Sequence, residues 1–487
     1  MQSNKLLLLS LMALCLPVAA AAATVNAASC SQGVVQNAIN SAASGDTVLV
    51  PAGSCTWSTA VSIPSSKGVT VLGAGVGVTD IVNATGNTAI QMNVQDGIGL
   101  SRVSGFSFDG NGANSSAGVV NVTAVADAHN AFRIDHCRFS NVIGGRALEV
   151  GTNGYEVSGL IDNNSFIKGS GTLQSITILA DDSPMGPNES LPWTHPYVLG
   201  GPNAIFVEDN IFDYSGGSIY DGAIDTGGGA RFVFRHNNVI DTFWGDHGAD
   251  LNARRGAISF EMYNNTISNN TGSSIWTLIY LRSGSGVIYN NSVTGPYSGS
   301  VELNNYRSST TQGCGSDGSG CTPFYLCDGT HAWDGNVSGK SGWPCLDQTG
   351  HIFTSNMSSG TSTLNPLYTW PGSGVEEDAA RFTNDGNMPT DIIANREFFN
   401  YNASFDGTSG VGQGTLAARP ATCTSAIGGY SGANPAYWTT DTNPPTLYTC
   451  TSANTWTVYY TPYTYPHPLR SGATAPPAPA SLRLTVN

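Results

Sequence analysis

The chain carries little charge. Only 11% of its 487 residues are Asp, Glu, Lys or Arg, and lysine occurs four times, at Lys5, Lys67, Lys168 and Lys340. That scarcity excludes a coiled coil, whose flanking positions need charged pairs, and a disordered chain held open by its own charge. The 19 basic residues face 34 acidic ones, a formal net charge of −15, so nucleic acid is not an expected partner. Long apolar runs are also scarce. Leu6 to Val18 is the one candidate; it falls short of the roughly 20 residues that span a bilayer, so no membrane insertion is expected. With Lys5 before it and the small-residue end Val25-Asn26-Ala27 after it, it predicts a secretory signal peptide over residues 1–27.

What the chain has in quantity is glycine, 59 residues, and enough apolar side chains, 40%, to fill a large core. Setting aside Cys15 in the leader, the cysteines group locally: Cys30 with Cys55, Cys423 with Cys450, and Cys314, Cys321, Cys327 and Cys345 in one loop-rich stretch. Local pairs predict disulfides and an exported protein. The middle four are also a zinc ligand set, although no Cys-x2-Cys pair occurs among them. Cys137 sits alone in an apolar alternating segment and is predicted to be a buried free thiol.

A short phrase recurs along the chain: FRIDHCRF (132–139), GLIDNNSF (159–166), IFVEDNIF (205–212), FVFRHNNV (232–239), SFEMYNNTI (259–267), GVIYNNSV (286–293) and HAWDGNV (331–337). The last apolar residues, Phe139, Phe166, Phe212, Val239, Ile267, Val293 and Val337, follow one another at intervals of 27, 46, 27, 28, 26 and 44. The two long intervals are two coils each, or one coil with an inserted loop. A period in the twenties with alternation inside each unit predicts a β-solenoid. Coils stacked about 4.8 Å apart bring equivalent residues into register, so the pairs Asn163-Asn164, Asn237-Asn238, Asn264-Asn265 and Asn290-Asn291 are expected to build ladders rather than to serve only as turns or glycosylation acceptors. Ahead of the repeats, Val34, Val35, Ala38, Ile39 and Ala42 have helical spacing and predict an amphipathic N-terminal cap, stapled to the first coil by Cys30 and Cys55.

That helix, followed by GDTVLVPAG, by VTVLGAG at 69–75 and by coils with Asn turns, resembles the right-handed parallel β-helix proteins of the pectate-lyase-like superfamily over about residues 30–410. The expected class is therefore all-β, a right-handed parallel β-helix over 28–414. A small disulfide-pinned aromatic β module is expected over 415–470 and a Pro-rich tail over 471–487. The module's Tyr and Trp residues either stack on sugar rings or pack the module against the last coil.

Between Asp221 and Arg282 the scarce ionisable residues gather. Arg231, Arg255 and Arg282 are spaced by 24 and 27 residues, close to the repeat, which predicts a column of guanidinium groups along one face. Glu261 is expected to pair with Arg235 in the coil below, and His236 shares the phase of Asn163, Asp209 and Asn264. An Arg column suits a uronate polymer. The resemblance implies neutralisation of the sugar carboxylate and removal of the C5 proton. It casts His247 as base, Arg255 and Arg282 as neutralisers or base, and Asp225, Asp246 and Asp250 as Ca²⁺ ligands, with Arg231 in the same catalytic set. Trp193, His195 and Tyr197, in an inserted loop, and Arg254 are expected to contact substrate. The expected function is a secreted lyase acting on an extracellular acidic polysaccharide by β-elimination. Two alternatives are a non-catalytic carbohydrate-binding or adhesion protein and a glycoside hydrolase using Asp181-Asp182 with Asp246-His247-Gly248.

Overall fold

The computed structural model describes residues 22–84, 86–112, 117–168, 174–179, 198–216, 222–242, 244–245, 256–304, 349–353, 362–371, 382–384, 392–427 and 432–471. Each coil contributes three short strands, and like strands of successive coils pair in parallel. The first sheet has twelve strands, from Thr24–Asn26 to Phe398–Phe399; the second has nine, from Gly53–Trp57 to Ser292–Thr294. The third has six, from Val61–Ile63 to Ile224–Gly227. Its face is continued by a four-stranded sheet of Trp244–Gly245, Ile279–Leu281, Val301–Leu303 and Phe382–Asn384. Three parallel sheets around one core make the chain a parallel β-solenoid of the architecture that the resemblance implied.

The repeat read from the sequence is the strand register. Phe139 stands beside Phe166, Phe166 beside Phe212, Phe212 beside Val239, and Val239, Ile267 and Val293 follow in one column. The rings of Phe108, Phe139, Phe166 and Phe212 stack at 5.2, 5.1 and 4.9 Å between centroids, an inner ladder of the kind the coil spacing dictates. Because Phe166 and Phe212 are direct neighbours, the interval of 46 is one coil with an insertion. Val337 lies outside the described residues, as do Cys314, Cys321, Cys327 and Cys345.

The Asn pairs divide their work between two positions. In three of the four pairs the first member turns the corner in the left-handed region, with φ of 54° at Asn163, 57° at Asn264 and 51° at Asn290; His136, Asp209 and His236 hold the same place at 50°, 57° and 56°, so the pair Asn237-Asn238 sits one residue later than the others. Asn, Asp and His tolerate that region better than bulkier or β-branched residues. The next residue, Asn164, Asn210, Asn237, Asn265 or Asn291, is buried. The Asn237 Oδ1 accepts from the backbone N–H of Asn210 at 3.0 Å and from its Nδ2 at 3.1 Å, and the pattern repeats from Asn265 to Asn237 and from Asn291 to Asn265. Cys137 fills this slot one coil earlier, its N–H donating to Asn164 Oδ1 at 3.0 Å. It is a buried free thiol, and burial pushes its pKa to about 12.

At the N-terminal end the helix Gln32–Ser41 buries Val35, Ala38 and Ile39 in the solenoid core. Lys67 Nζ donates to Ile39 O, Asn40 O and Ala42 O at 2.6, 3.0 and 2.6 Å, where a cation satisfies the last carbonyls of a helix. Cys30 and Cys55 form a disulfide, and Cys423 and Cys450 another. The strands Val411–Gly414, Ala436–Thr439, Leu447–Ser452 and Thr455–Tyr460 form a separate four-stranded sheet. Two of its aromatics, Trp438 and Tyr460, are buried against the solenoid: Trp438 lies 4.8 Å from Trp370 and 5.1 Å from Tyr289, and Tyr460 6.2 Å from Tyr289, centroid to centroid. For these rings the packing alternative holds.

Residues 461–471 then run along the outer face of the first sheet and cover its charges. There, Asp135, Asp162, Glu208, Arg235 and Tyr263 stand in one column. Arg235 donates to Glu208 in the coil below at 2.8 and 2.6 Å, to Tyr263 Oη at 2.8 Å, and to the carbonyls of Tyr463 and Thr464 at 2.8 and 2.9 Å. The expected Glu261–Arg235 pair is corrected. Glu261 stands opposite Val233, two residues from Arg235 in the register, and accepts instead from Gly200 N and Tyr460 Oη, both at 2.7 Å. His236 lies flat against Tyr465, 3.7 Å between centroids.

Candidate functional site

Two places on the solenoid surface hold the predicted residues that fall within the described chain. Arg231 opens the strand Arg231–Arg235 at the corner between the third and first sheets. Its Nη1 lies 3.5 Å from Glu156 Oε1. The other oxygen of Glu156 is 3.3 Å from His129 Nε2, and His129 Nδ1 is 2.7 Å from Asp96 Oδ2. Burial works against charge on His129, but its hydrogen bonds to Asp96 and Glu156 raise its pKa above the ordinary value. Beside this chain of charges is a small cleft of about 20 Å³, lined in part by Thr152, Tyr155, Glu156, Asn203 and Arg231.

The second place is the outer face of the third sheet and its continuation. Asp225 is in the strand Ile224–Gly227 and shares a column with Thr177, Glu149 and Asn121. Glu149 takes hydrogen bonds from Arg146 Nη1 at 2.8 Å and Asn121 Nδ2 at 3.3 Å. Farther along, the strand Ile279–Leu281 points Ile279 and Leu281 into the core, while Tyr280 lies outside the core cluster. The guanidinium carbon of Arg282 sits over the Tyr280 ring, 4.7 Å from its centroid. Tyr280 Oη accepts from Asn304 Nδ2 at 3.0 Å, and Glu302 is its neighbour in the next coil. Trp276 touches the same ring, 4.7 Å between centroids at 58°. Gly284, just after Arg282, has φ of 71°, and a side chain there would meet Ala257 O at 2.3 Å, so only glycine lets the chain turn back into the first sheet so close to the coil below.

The register corrects the guanidinium column. Ser259 and then Ser285 stand above Arg231, and Arg282 precedes Ser285 by three residues, on the far side of the corner. Spacing close to the repeat length does not ensure alignment when a coil carries insertions at its turns. His247, Arg254, Arg255, Asp246, Asp250, Trp193, His195 and Tyr197 lie outside the described residues, as do Asp181 and Asp182. Among the described residues no three metal-ligating side chains come together; Asp225 is the one member of the expected calcium set that is described.

Several residues of these two places were not singled out from the sequence: Asp96, His129 and Glu156 at the corner, and Trp276, Tyr280, Glu302 and Asn304 on the sheet face. For the sheet face a signal was present. Tyr280 stands between the core residues Ile279 and Leu281, and alternation within that strand puts it on the face opposite the core.

These features define the protein as a parallel β-solenoid that carries polar and aromatic groups on the outer face of its third sheet and that sheet's continuation. No family model and no curated protein matches the chain. Among solved structures, it is similar to ORF18 of Geobacillus virus E2 (14% identity, TM-score 0.28, covering 57% of this chain and 58% of that one). It is similar to an alginate lyase from Paenibacillus sp. str. FPU-7 (15%, 0.32, 57% and 99%) and to a mutant of the PL6 family alginate lyase AlyGC (13%, 0.31, 91% and 57%). The chain thus spans little more than half the length of the first and third of these.

Proposed function

We propose that the protein is a secreted lyase that cleaves an acidic, uronate-containing polysaccharide by β-elimination on the face that carries Asp225, Tyr280, Arg282 and Glu302. One observation carries the reading: Arg282 is held over the Tyr280 ring on a lateral sheet face of a strongly acidic protein. A planar guanidinium held in place is suited to bidentate capture of a carboxylate.

In the proposed reaction Arg282 neutralises the C6 carboxylate, which acidifies the C5 proton. A base takes that proton, the C5–H electron pair becomes the C4–C5 double bond, the C4–O bond breaks, and the departing oxygen is protonated. We assign the base to His247, with Arg255 as the second neutraliser or base. Gly245 pairs with Tyr280, and Asp246 and His247 follow it in the chain. Arg254, Trp193, His195 and Tyr197 are assigned to substrate contact. Arg231, ion-paired to Glu156 two coils away from Arg282, is reassigned from catalysis to holding a more distant sugar. Asp225, with Asp246 and Asp250, is the proposed calcium set, whose ion would add positive charge beside the substrate carboxylate.

Export through an N-terminal signal peptide is supported by two disulfides, which persist in oxidising compartments; the expected end at residue 27 moves to before Thr24, because Thr24–Asn26 pairs with Thr47–Leu49 and Ala27 is buried in the core. We read the helix Gln32–Ser41 as the cap of the solenoid, the four-stranded sheet that opens at Val411 as the terminal module and 471–487 as the Pro-rich tail; the expected boundaries 28–414 and 415–470 shift because Thr24–Asn26 pairs within the first solenoid sheet and Val411–Gly414 within the terminal one. The test is absorbance near 235 nm from unsaturated uronate, with polyuronates of different composition supplied with and without Ca²⁺. A rise that falls at least a hundredfold in Arg282→Ala is expected, a loss typical of removing one charge-stabilising group. New reducing ends without absorbance would indicate hydrolysis, and neither signal on any polymer would leave the binding protein as the reading.

A further inference from the structure

We propose that Trp276 and Tyr280 form the floor of a sugar-binding subsite beside Arg282, with Trp276 stacking on the apolar face of a pyranose ring of the acidic polymer. This rests on the site proposed above and extends it to a residue outside the reacting set.

Trp276 is 49% exposed, whereas Trp57, Trp370 and Trp438 are 1%, 3% and 7% exposed. Trp456 is half-buried and donates its Nε1–H to Pro420 O at 2.8 Å. Among the tryptophans whose side chains are described, Trp276 is therefore the most exposed. Its neighbours Ile275 and Thr277 are buried at 1% and 0%, so the bend that carries Trp276 ahead of the strand Ile279–Leu281 leaves the indole outward between two anchored residues. An indole offers a flat apolar surface with a polar edge, complementary to the C–H face of a sugar ring whose hydroxyls stay in water.

The platform is built before any ligand arrives. Tyr280, on which Trp276 leans, is 7% exposed, with Asn304 at its hydroxyl and the Arg282 guanidinium over its ring. A rigid platform loses little conformational freedom on binding. Trp276 and Arg282 flank the same ring at equal distance, each 4.7 Å from it, so one sugar stacked on Trp276 leaves the carboxylate of the same or the adjacent unit within reach of Arg282. The ligand class that satisfies both is a polymer of carboxylated pyranoses.

The experiment compares the full mature chain with Trp276→Ala, Trp276→Gln and Trp276→Phe. Retention is measured in gels containing a polyuronate or a neutral polysaccharide, alongside product formation and thermal melting. The expected result is binding to the polyuronate about tenfold weaker in Trp276→Ala and Trp276→Gln and largely restored in Trp276→Phe. KM should rise while kcat stays near the parent value, and melting should be unchanged because the ring is half in solvent. Equal retention of the parent and Trp276→Gln would overturn the proposal, as would a parent retained by neither polymer. Weakened retention with no unsaturated product from the parent supports the platform and removes the lyase. Product formation with an unchanged KM in both Trp276→Ala and Trp276→Gln keeps the lyase and removes the platform.

Discussion

At the scale of single residues, the asparagine ladder and the buried ion pairs do most to determine the register. Asn237 Nδ2 donates to Val207 O and Asn265 Oδ1, while its Oδ1 receives two bonds from Asn210. Asn237→Ala therefore strands buried donors and acceptors in two coils, and a loss of about 3 kcal/mol is expected in urea unfolding. Asp135 gives a pH signature. Burial alone would raise its pKa, but hydrogen bonds from Arg102 and His136 and the charges of Arg133 and Arg102 bring it down to about 2. A carboxyl lowered in the folded state stabilises the fold above its ordinary pKa. That contribution, on the order of 2 kcal/mol, should disappear as pH falls from about 4 to about 2. In Asp135→Asn the urea midpoint at pH 7 should drop and its slope between pH 4 and 2 should flatten. An unchanged slope would assign acid sensitivity to other carboxylates.

At the scale of elements, the segment after Tyr460 acts as a cover for one sheet. The Arg470 guanidinium binds Asp209, and His467 N–H donates to Glu208 at 3.0 Å. Phe206 lies under Tyr463 and His467. Tyr460→Phe removes a donor from the buried Glu261 and is expected to cost about 2 kcal/mol in thermal or urea unfolding. Burial raises the Glu261 pKa, so its contribution to stability is complete below the ordinary carboxyl range and fades as pH rises through the raised value. Glu261→Gln keeps the acceptor for Gly200 N–H and cannot ionise, so its melting temperature should fall less than the parent's as pH is raised from 5 to 8. The repeats themselves were legible because the inner ladder uses large apolar residues at one phase. The cover was not, because its contacts join residues more than 200 positions apart, such as Arg235 and Tyr463, and no local pattern encodes them.

At the scale of the whole molecule, the solenoid is closed laterally by its sheets and pinned near both ends. The disulfides close loops with sequence separations of 25 and 27. Replacing both cysteines of either pair with alanine is expected to lower stability by roughly 3 kcal/mol, read from denaturant midpoints, since a loop of that length restrains the unfolded chain by about that much. The polar face with Arg282 is long relative to a sugar ring, because coils add about 4.8 Å each, and a polymer laid along it meets groups from several coils at once. That geometry ties the proposed activity to extended substrates rather than to small ones.

The amino-acid sequence by itself determined the repeat, the inner columns from Phe139 to Val293, the corner residues and the buried state of Cys137, because each follows from a period or a local preference. Only the tertiary structure decided which side chains meet across coils. It separated Arg231 from Arg282, paired Arg235 with Glu208 rather than Glu261, and gathered Trp276, Tyr280 and Arg282 under one ring contact. The reason is that a column is set by hydrogen-bond register, which turns of unequal length shift by whole residues without disturbing the repeat that a reader counts.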